Sequence, residues 1–209
     1  MVDATAVRGA HATIKDALAA AVPGTLIVVK PGTYREALVI EKAVEIVGEG
    51  RLGQVVIEAS ERAAIVLDTD RAALRNLVIR ATGTQSTTSA AVWVKRGRPV
   101  IEGCTLTSAI GPGMYVGGSS SDPTVRECTF ADGKQSGIWV VENGAGTFER
   151  CTVTGNAKAG IRVETGGNPT VRECTVERNR DHGIKVWDTG LGTITGCRLS
   201  GNKIGRAHV

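Results

Sequence analysis

Glu142, Glu164 and Asp188 are three carboxylates set roughly one coil of a repeat apart, and Arg162 and Lys185 stand beside them. Glycan cleavage needs paired carboxylates, or a carboxylate-held cation with a basic neighbour, because a proton must move while charge develops. Asp181-His182 lies one turn earlier. Glu142, Glu164, Asp188 and Lys185 are the candidate catalytic set. The three carboxylates do not share one column of the repeat, and alternating charge is also how a solvated surface looks. Ca²⁺ would be a cofactor only if this set were a lyase. Otherwise no cofactor or metal is expected.

A second set is suited to binding. Trp93, Tyr115, Trp139, Arg162, Lys185 and His208 occupy one position of the repeat, and Lys95, Gly117, Val141, Glu164 and Trp187 the position two residues later. Period-two alternation points both positions outward. All three tryptophans and one of the two tyrosines thus fall on one face. The plain alternative is a structural ladder of large side chains. A contiguous aromatic patch more often marks a binding surface, and Arg162 and Lys185 would favour an anionic ligand. The binding candidates are Trp93, Tyr115, Trp139, Arg162, Lys185 and Trp187, with a protein or an anionic polysaccharide as partner.

The elements that must position these residues are set by five cysteines. Cys104, Cys128, Cys151, Cys174 and Cys197 lie 24, 23, 23 and 23 residues apart. A strict period of this length predicts a solenoid of stacked coils. Three residues before each cysteine stands Ile101, Val125, Phe148, Val171 or Ile194, and two after it Leu106, Phe130, Val153, Val176 or Leu199. These columns and the thiols are expected inside. A second strand follows in each coil, with Met114/Val116, Ile138/Val140, Ile161/Val163 and Ile184/Val186 inward. Asn156, Asn179 and Asn202 recur in the intervening turn, where stacked amides can bond along the axis. The cysteine column contains no His or carboxylate, which argues against zinc. An apolar setting suits free structural thiols in a reducing compartment, so a cytoplasmic location is expected.

Residues 1–24 read as a cap: Thr13 opens a short helix carrying Ile14, Ala17, Leu18, Ala21 and Val22, which Pro23-Gly24 stops. Residues 25–209 read as the solenoid, with the regular coils over 97–209. In the first half, strands are predicted over 26–30, 38–40, 44–47, 55–57, 64–67, 77–79 and 91–94. Gly201 to Val209 aligns with Gly155 to Val163, so the last coil stops part-way. An open coil invites edge association, so one domain of a longer protein, or self-association at this end, is expected.

Lys+Arg exceeds Asp+Glu by 25 to 21. That mild excess is far from the concentrated patch of a nucleic-acid binder. No run approaches the ~18 apolar residues of a membrane span, and the start lacks the basic and apolar regions of a secretion signal. Neither nucleic acid nor membrane is expected as a partner.

Two stretches carry a family resemblance. TIKDALAAAVPGTLIVVKPGTYREALVI leading to VEIVGEG resembles the opening of many CASH-type right-handed parallel β-helices of the pectate-lyase-like superfamily. NPTVREC and GKQSGIWVVENGAGTFERC are similar to the substrate-binding β-helix repeats of certain F-box proteins and their bacterial relatives. The resemblance implies an all-β, right-handed single-stranded parallel β-helix. It leaves activity open, because the architecture hosts lyases, esterases, epimerases and binding modules. The catalytic aspartate motifs of pectin esterases have no match here. The expected function is a non-catalytic recognition module within a larger protein. A polysaccharide lyase or epimerase and an architectural, self-associating solenoid are the alternatives.

Overall fold

The computed structural model describes residues 1–3, 10–60, 63–83 and 89–203. His208 and the open end of the last coil lie outside them.

The chain winds through three parallel sheets of eight, eight and seven strands. Sheet A starts at Leu26–Val29 and ends at Thr193–Thr195. Sheet B runs from Gly32–Arg35 to Arg198–Ser200, and sheet C from Leu38–Ile40 to Ile184–Val186. Each strand pairs only with its counterparts one coil before and after, as in Tyr115↔Trp139 and Trp139↔Arg162. The expected columns are inside: Ile101, Val125, Phe148, Leu106, Phe130 and Val153 are fully buried. At the far end Ile194, Cys197 and Leu199 are only partly covered.

The coil has three strands, where the sequence pattern suggested two around and after the cysteine. A left-handed residue immediately before the thiol bends the chain between sheets A and B: Gly103, Glu127, Arg150, Glu173 and Gly196 have φ of 59°, 52°, 49°, 54° and 62°. Only Gly adopts this backbone without strain, and three charged residues hide the turn from a search for glycine. Two further strands, Gly32–Arg35 and Ala73–Arg75, have no counterpart in the pattern. The first opens on a Pro-Gly turn signal, and the second is three residues long.

Four of the thiols are 1% exposed and all five are free. Each of these donates to carbonyls of its own coil and the coil before it, as Cys128 does to Arg126 (3.2 Å) and Ile101 (3.6 Å). The neighbouring thiol and burial push Cys128 and Cys151 above their ordinary pKa, and the same thiol–thiol contacts lower Cys104 and Cys174.

At the turn into sheet C the amides form a buried ladder. Asn156 Nδ2 donates to Asn179 Oδ1 and Asn179 Nδ2 to Asn202 Oδ1, both at 2.9 Å. The left-handed residue is the one before each asparagine, Gly155, Arg178 or Gly201, with φ of 69°, 53° and 62°. Glycine precedes the next strand because there is no room for a side chain. A Cβ on Gly160 would lie 2.5 Å from Val176 and 2.7 Å from the Gly183 carbonyl.

The first coil is closed by the helix Ile14–Ala20. Thr13 Oγ1 accepts from Asp16 N at 3.0 Å as its N-cap. Glu36 accepts from the free N–H groups of Ile14 and Lys15, and Lys42 Nζ donates to the carbonyls of Leu18, Ala19 and Ala21. Both helix ends are thereby held by side chains of the coils. Ile14 and Ala17 are buried, but Val22 is 67% exposed, so it does not belong to the covering face. Val2 adds two further bridges, to Val29 and to His11. Among the described residues no helix is long and apolar enough to cross a membrane.

Candidate binding site

The outer wall of sheet C carries the aromatic and basic residues in register. Trp93 lies over Val66, then come Tyr115, Trp139, Arg162 and Lys185, one per coil. The ring centroids of Trp93 and Tyr115 are 6.1 Å apart, and those of Tyr115 and Trp139 5.4 Å, both edge to face. This is a favourable arrangement for ring quadrupoles. All three residues are half-buried. They do not form the open flat patch expected from alternation alone.

Tyr115 leans along its strand over Gly117, where a Cβ would come within 2.6 Å of the ring. Burial, then the Glu142 carboxylate, raises the Tyr115 hydroxyl pKa. Trp139 donates from Nε1 to Glu164 Oε1 at 2.9 Å, and Arg162 donates to Glu164 Oε2 from Nε (2.9 Å) and Nη2 (2.7 Å). Both Glu164 carboxylate oxygens thus accept hydrogen bonds, and the residue is almost fully buried. Its carboxylate fixes the Trp139–Arg162 pair.

The wall opens at its far end. The Arg162 guanidinium sits 4.3 Å from the Trp139 ring and 5.6 Å from the Trp187 ring, and Lys185 Nζ lies 5.3 Å from the latter. Trp187 is 49% exposed. Beside it is a cavity of about 370 Å³ lined by Lys158, Arg162, Asp181, Lys185 and Trp187, over Ser136. Ser136 Oγ is buried and has no hydrogen-bond partner among the described residues. It can donate to an oxygen seated above it. Asp181 is 2.7 Å from His182 Nδ1.

The catalytic candidates come from different parts of the coil, and Glu142 and Glu164 both act on the Tyr115 hydroxyl. Glu142 and Asp188 occupy strained left-handed turn positions (φ 54° and 46°) after sheet C, with Thr165 stacked between them. Asp188 accepts from Thr165 Oγ1 at 3.1 Å. Glu164 is engaged by Trp139 and Arg162 on the wall. No cluster of three His, Cys, Asp or Glu side chains able to hold a metal occurs among the described residues.

Sequence reasoning missed a wide cleft on sheet A. About 750 Å³ opens over the first coils of sheet A, lined by Gly24, Ala43, Ala72 and Ala73 with Glu45, Asp70, Arg71 and Arg98. Its depth comes from small residues, which carry no chemical signal in a sequence. Glu45 is bound to Arg75 at 2.7 Å and Asp70 to Arg96 at 3.0 Å.

Residues 63–209 match the family model for the right-handed β-helix region. The chain belongs to the right-handed β-helix family. Among curated proteins this β-helix is similar to the F-box protein dre-1 of Caenorhabditis elegans, 35% identical over 68 residues. Those residues are 32% of the chain and 7% of that relative. Among solved structures it resembles the pectin methylesterase of Aspergillus niger, with TM-score 0.67, 17% identity, and 97% of this chain and 84% of that chain covered. It also resembles the alginate lyase AlyGC, with TM-score 0.60, 14% identity, and 91% of this chain and 38% of that one covered. At these identities the likeness is one of fold.

Proposed function

We propose that this β-helix is a non-catalytic module that binds an acidic polysaccharide at the far end of the sheet C wall. The observation that carries the reading is Trp187, an exposed indole flanked by Arg162 and Lys185 at the mouth of a cavity with a buried hydroxyl beneath it. An aromatic face holds a sugar ring, and the cations hold its acid group. The engagement of Glu164 by Trp139 and Arg162 supports a binding role over a catalytic one. The acidic-glycan class is supported by a fold shared with a pectin methylesterase and an alginate lyase. The free thiols support a reducing, cytoplasmic location.

The enzyme reading is favoured by one observation, the sheet A cleft with Glu45, Asp70, Arg71 and Arg98. One experiment separates the two. The protein is titrated calorimetrically with de-esterified pectin and alginate oligosaccharides while products are followed. Binding without turnover, weakened about tenfold in Trp187→Ala at an unchanged melting temperature, is the expected result. Turnover abolished by Asp70→Asn but not by Trp187→Ala selects the enzyme. Failure of the protein to bind either polymer sinks the saccharide reading and leaves a protein partner or self-association.

A further inference from the structure

The turn from sheet B to sheet C carries a line of cations that the aromatic wall does not use. Lys134, Arg180 and Lys203 occupy equivalent places in their coils. Their amides donate to the carbonyls of Ser108, Asn156 and Asn179 at 3.1, 2.8 and 3.1 Å. The coil between the first two has Ala157 at this place, bound the same way to Gly133, and the next residue, Lys158, supplies the charge. All four cations are exposed, and none is in an ion pair among the described residues. The acids close by are Asp132, Glu177, which pairs with Arg178, and Asp181, which pairs with His182.

The line is rigid because the asparagine ladder lies directly under it. Asn156 and Asn179 are 1% exposed, and each accepts or donates bonds across two coils. Coils stack about 4.8 Å apart, so like charges sit close along the axis and repel. Such a column costs stability and gains it back only when something of opposite charge lies along it. The cavity lined by Lys158, Arg162, Lys185 and Trp187 opens beside the same turn.

We propose that this column and the cavity form one track for a linear acidic polysaccharide that runs parallel to the helix axis and places one anionic group against each coil. The proposal rests on the saccharide reading above and adds the direction of the chain and its required charge density. An extended peptide is a poorer match. Its same-side residues repeat about every 6.6 Å, so three repeats overrun three coils by about 5 Å. A single-stranded nucleic acid needs a run of parallel ring faces on which successive bases stack, and Trp93, Tyr115 and Trp139 stand nearly perpendicular to one another.

The test is a triple variant, Lys134→Gln/Arg180→Gln/Lys203→Gln, titrated with alginate, de-esterified pectin and methyl-esterified pectin at low and high salt. The wild-type protein is expected to bind the two charged polymers, to lose affinity with esterification, and to weaken with salt. The triple variant is expected to bind them about 30-fold more weakly at low salt, about threefold for each cation removed, with a flatter salt dependence and a melting temperature no lower than that of the wild-type protein. Wild-type affinity and salt dependence in the triple variant, with binding still lost in Trp187→Ala, overturn the track and leave the saccharide reading standing. No binding by the wild-type protein overturns both. Tighter binding of a single-stranded oligonucleotide of equal charge also overturns the track. If the triple variant melts early, Lys134→Gln and Lys203→Gln are compared singly by the same readout.

Discussion

Two charged columns run along this β-helix with the same geometry and opposite design. On sheet A the signs alternate. Arg75 sits between Glu45 and Glu102, and Glu149 between Arg126 and Arg172, at 2.8 and 2.6 Å in the second case. At the corner of sheets B and C the column is Lys134, Ala157 with Lys158, Arg180 and Lys203. In a solenoid each residue choice is repeated against itself one coil away, so its sign pattern is amplified. An alternating column satisfies itself and presents little to solvent. A column of one sign projects its field outward and is stable only because something firm holds it in place. The difference separates a wall that maintains the fold from an edge that is available to a ligand.

The largest way to break the contrast is to remove what holds the cationic edge. Asn179 accepts from Asn156 N (3.0 Å) and Asn156 Nδ2 (2.9 Å), and donates to Val153 O (3.1 Å) and Asn202 Oδ1 (2.9 Å). In Asn179→Ala the buried Asn156 N–H loses its side-chain acceptor, Asn156 Nδ2 loses one of its three acceptors, and Val153 O and Asn202 Oδ1 each lose one donor. The expected loss is about 3 kcal/mol of unfolding free energy, measured by urea denaturation. A loss below 1 kcal/mol would mean that the ladder follows the register of the turn and does not set it.

The register itself was readable from the sequence because one residue type marks it. Cysteine at 23-residue spacing fixed the frame, and the flanking apolar columns followed with Phe130 and Phe148 correctly inside. The asparagine ladder was readable for the same reason. The bend between sheets A and B was not, because Glu127, Arg150 and Glu173 adopt a conformation that sequence reasoning assigns to glycine. Alternation placed Trp93, Tyr115 and Trp139 on one wall, but it says nothing of tilt. The lean of Tyr115 over Gly117 and the bond from Trp139 to Glu164 are what half-bury them. Glu164 looked like a catalyst because its type and spacing fit. Its role as a positioning group depends on partners in the neighbouring strand. The cationic column is present in the sequence at 23-residue steps, yet Ala157 interrupts it and Lys158 falls one place out of line.

The alternating column can be tested by pH. The Arg126 hydrogen bond, together with the charges of Arg172, Arg126 and Arg150, lowers the Glu149 carboxyl pKa. Its folded pKa is thus below its unfolded value of about 4.3. The unfolded chain takes up the proton first on acidification. The stabilisation from Glu149 is therefore fully present above the unfolded pKa and is lost as pH falls through the folded one. Glu149→Gln is expected to melt below the wild-type protein at pH 7, with the gap shrinking below pH ~4.3 and closing at lower pH. A gap that is constant from pH 7 to the acid limit would show that the glutamate acts by packing and not by charge.

The smallest expected effect is the most direct test of the contrast, because it predicts a sign and not a size. If the corner is a column of unsatisfied like charges, inverting one of them relieves its neighbours. Arg180 makes no ion pair among the described residues, and Lys203 and Lys158 flank it. Arg180→Glu is therefore expected to stabilise the free protein by up to about 0.5 kcal/mol at low salt. The gain should vanish near 1 M salt, where the screening length is about 3 Å and shorter than the coil spacing. A reversal on sheet A, where every neighbour has the opposite sign, must do the opposite. Thermal melts of Arg180→Glu at two ionic strengths read this out. A destabilised variant at low salt would show that Arg180 has an internal partner, and the corner would then be a second version of the sheet A wall.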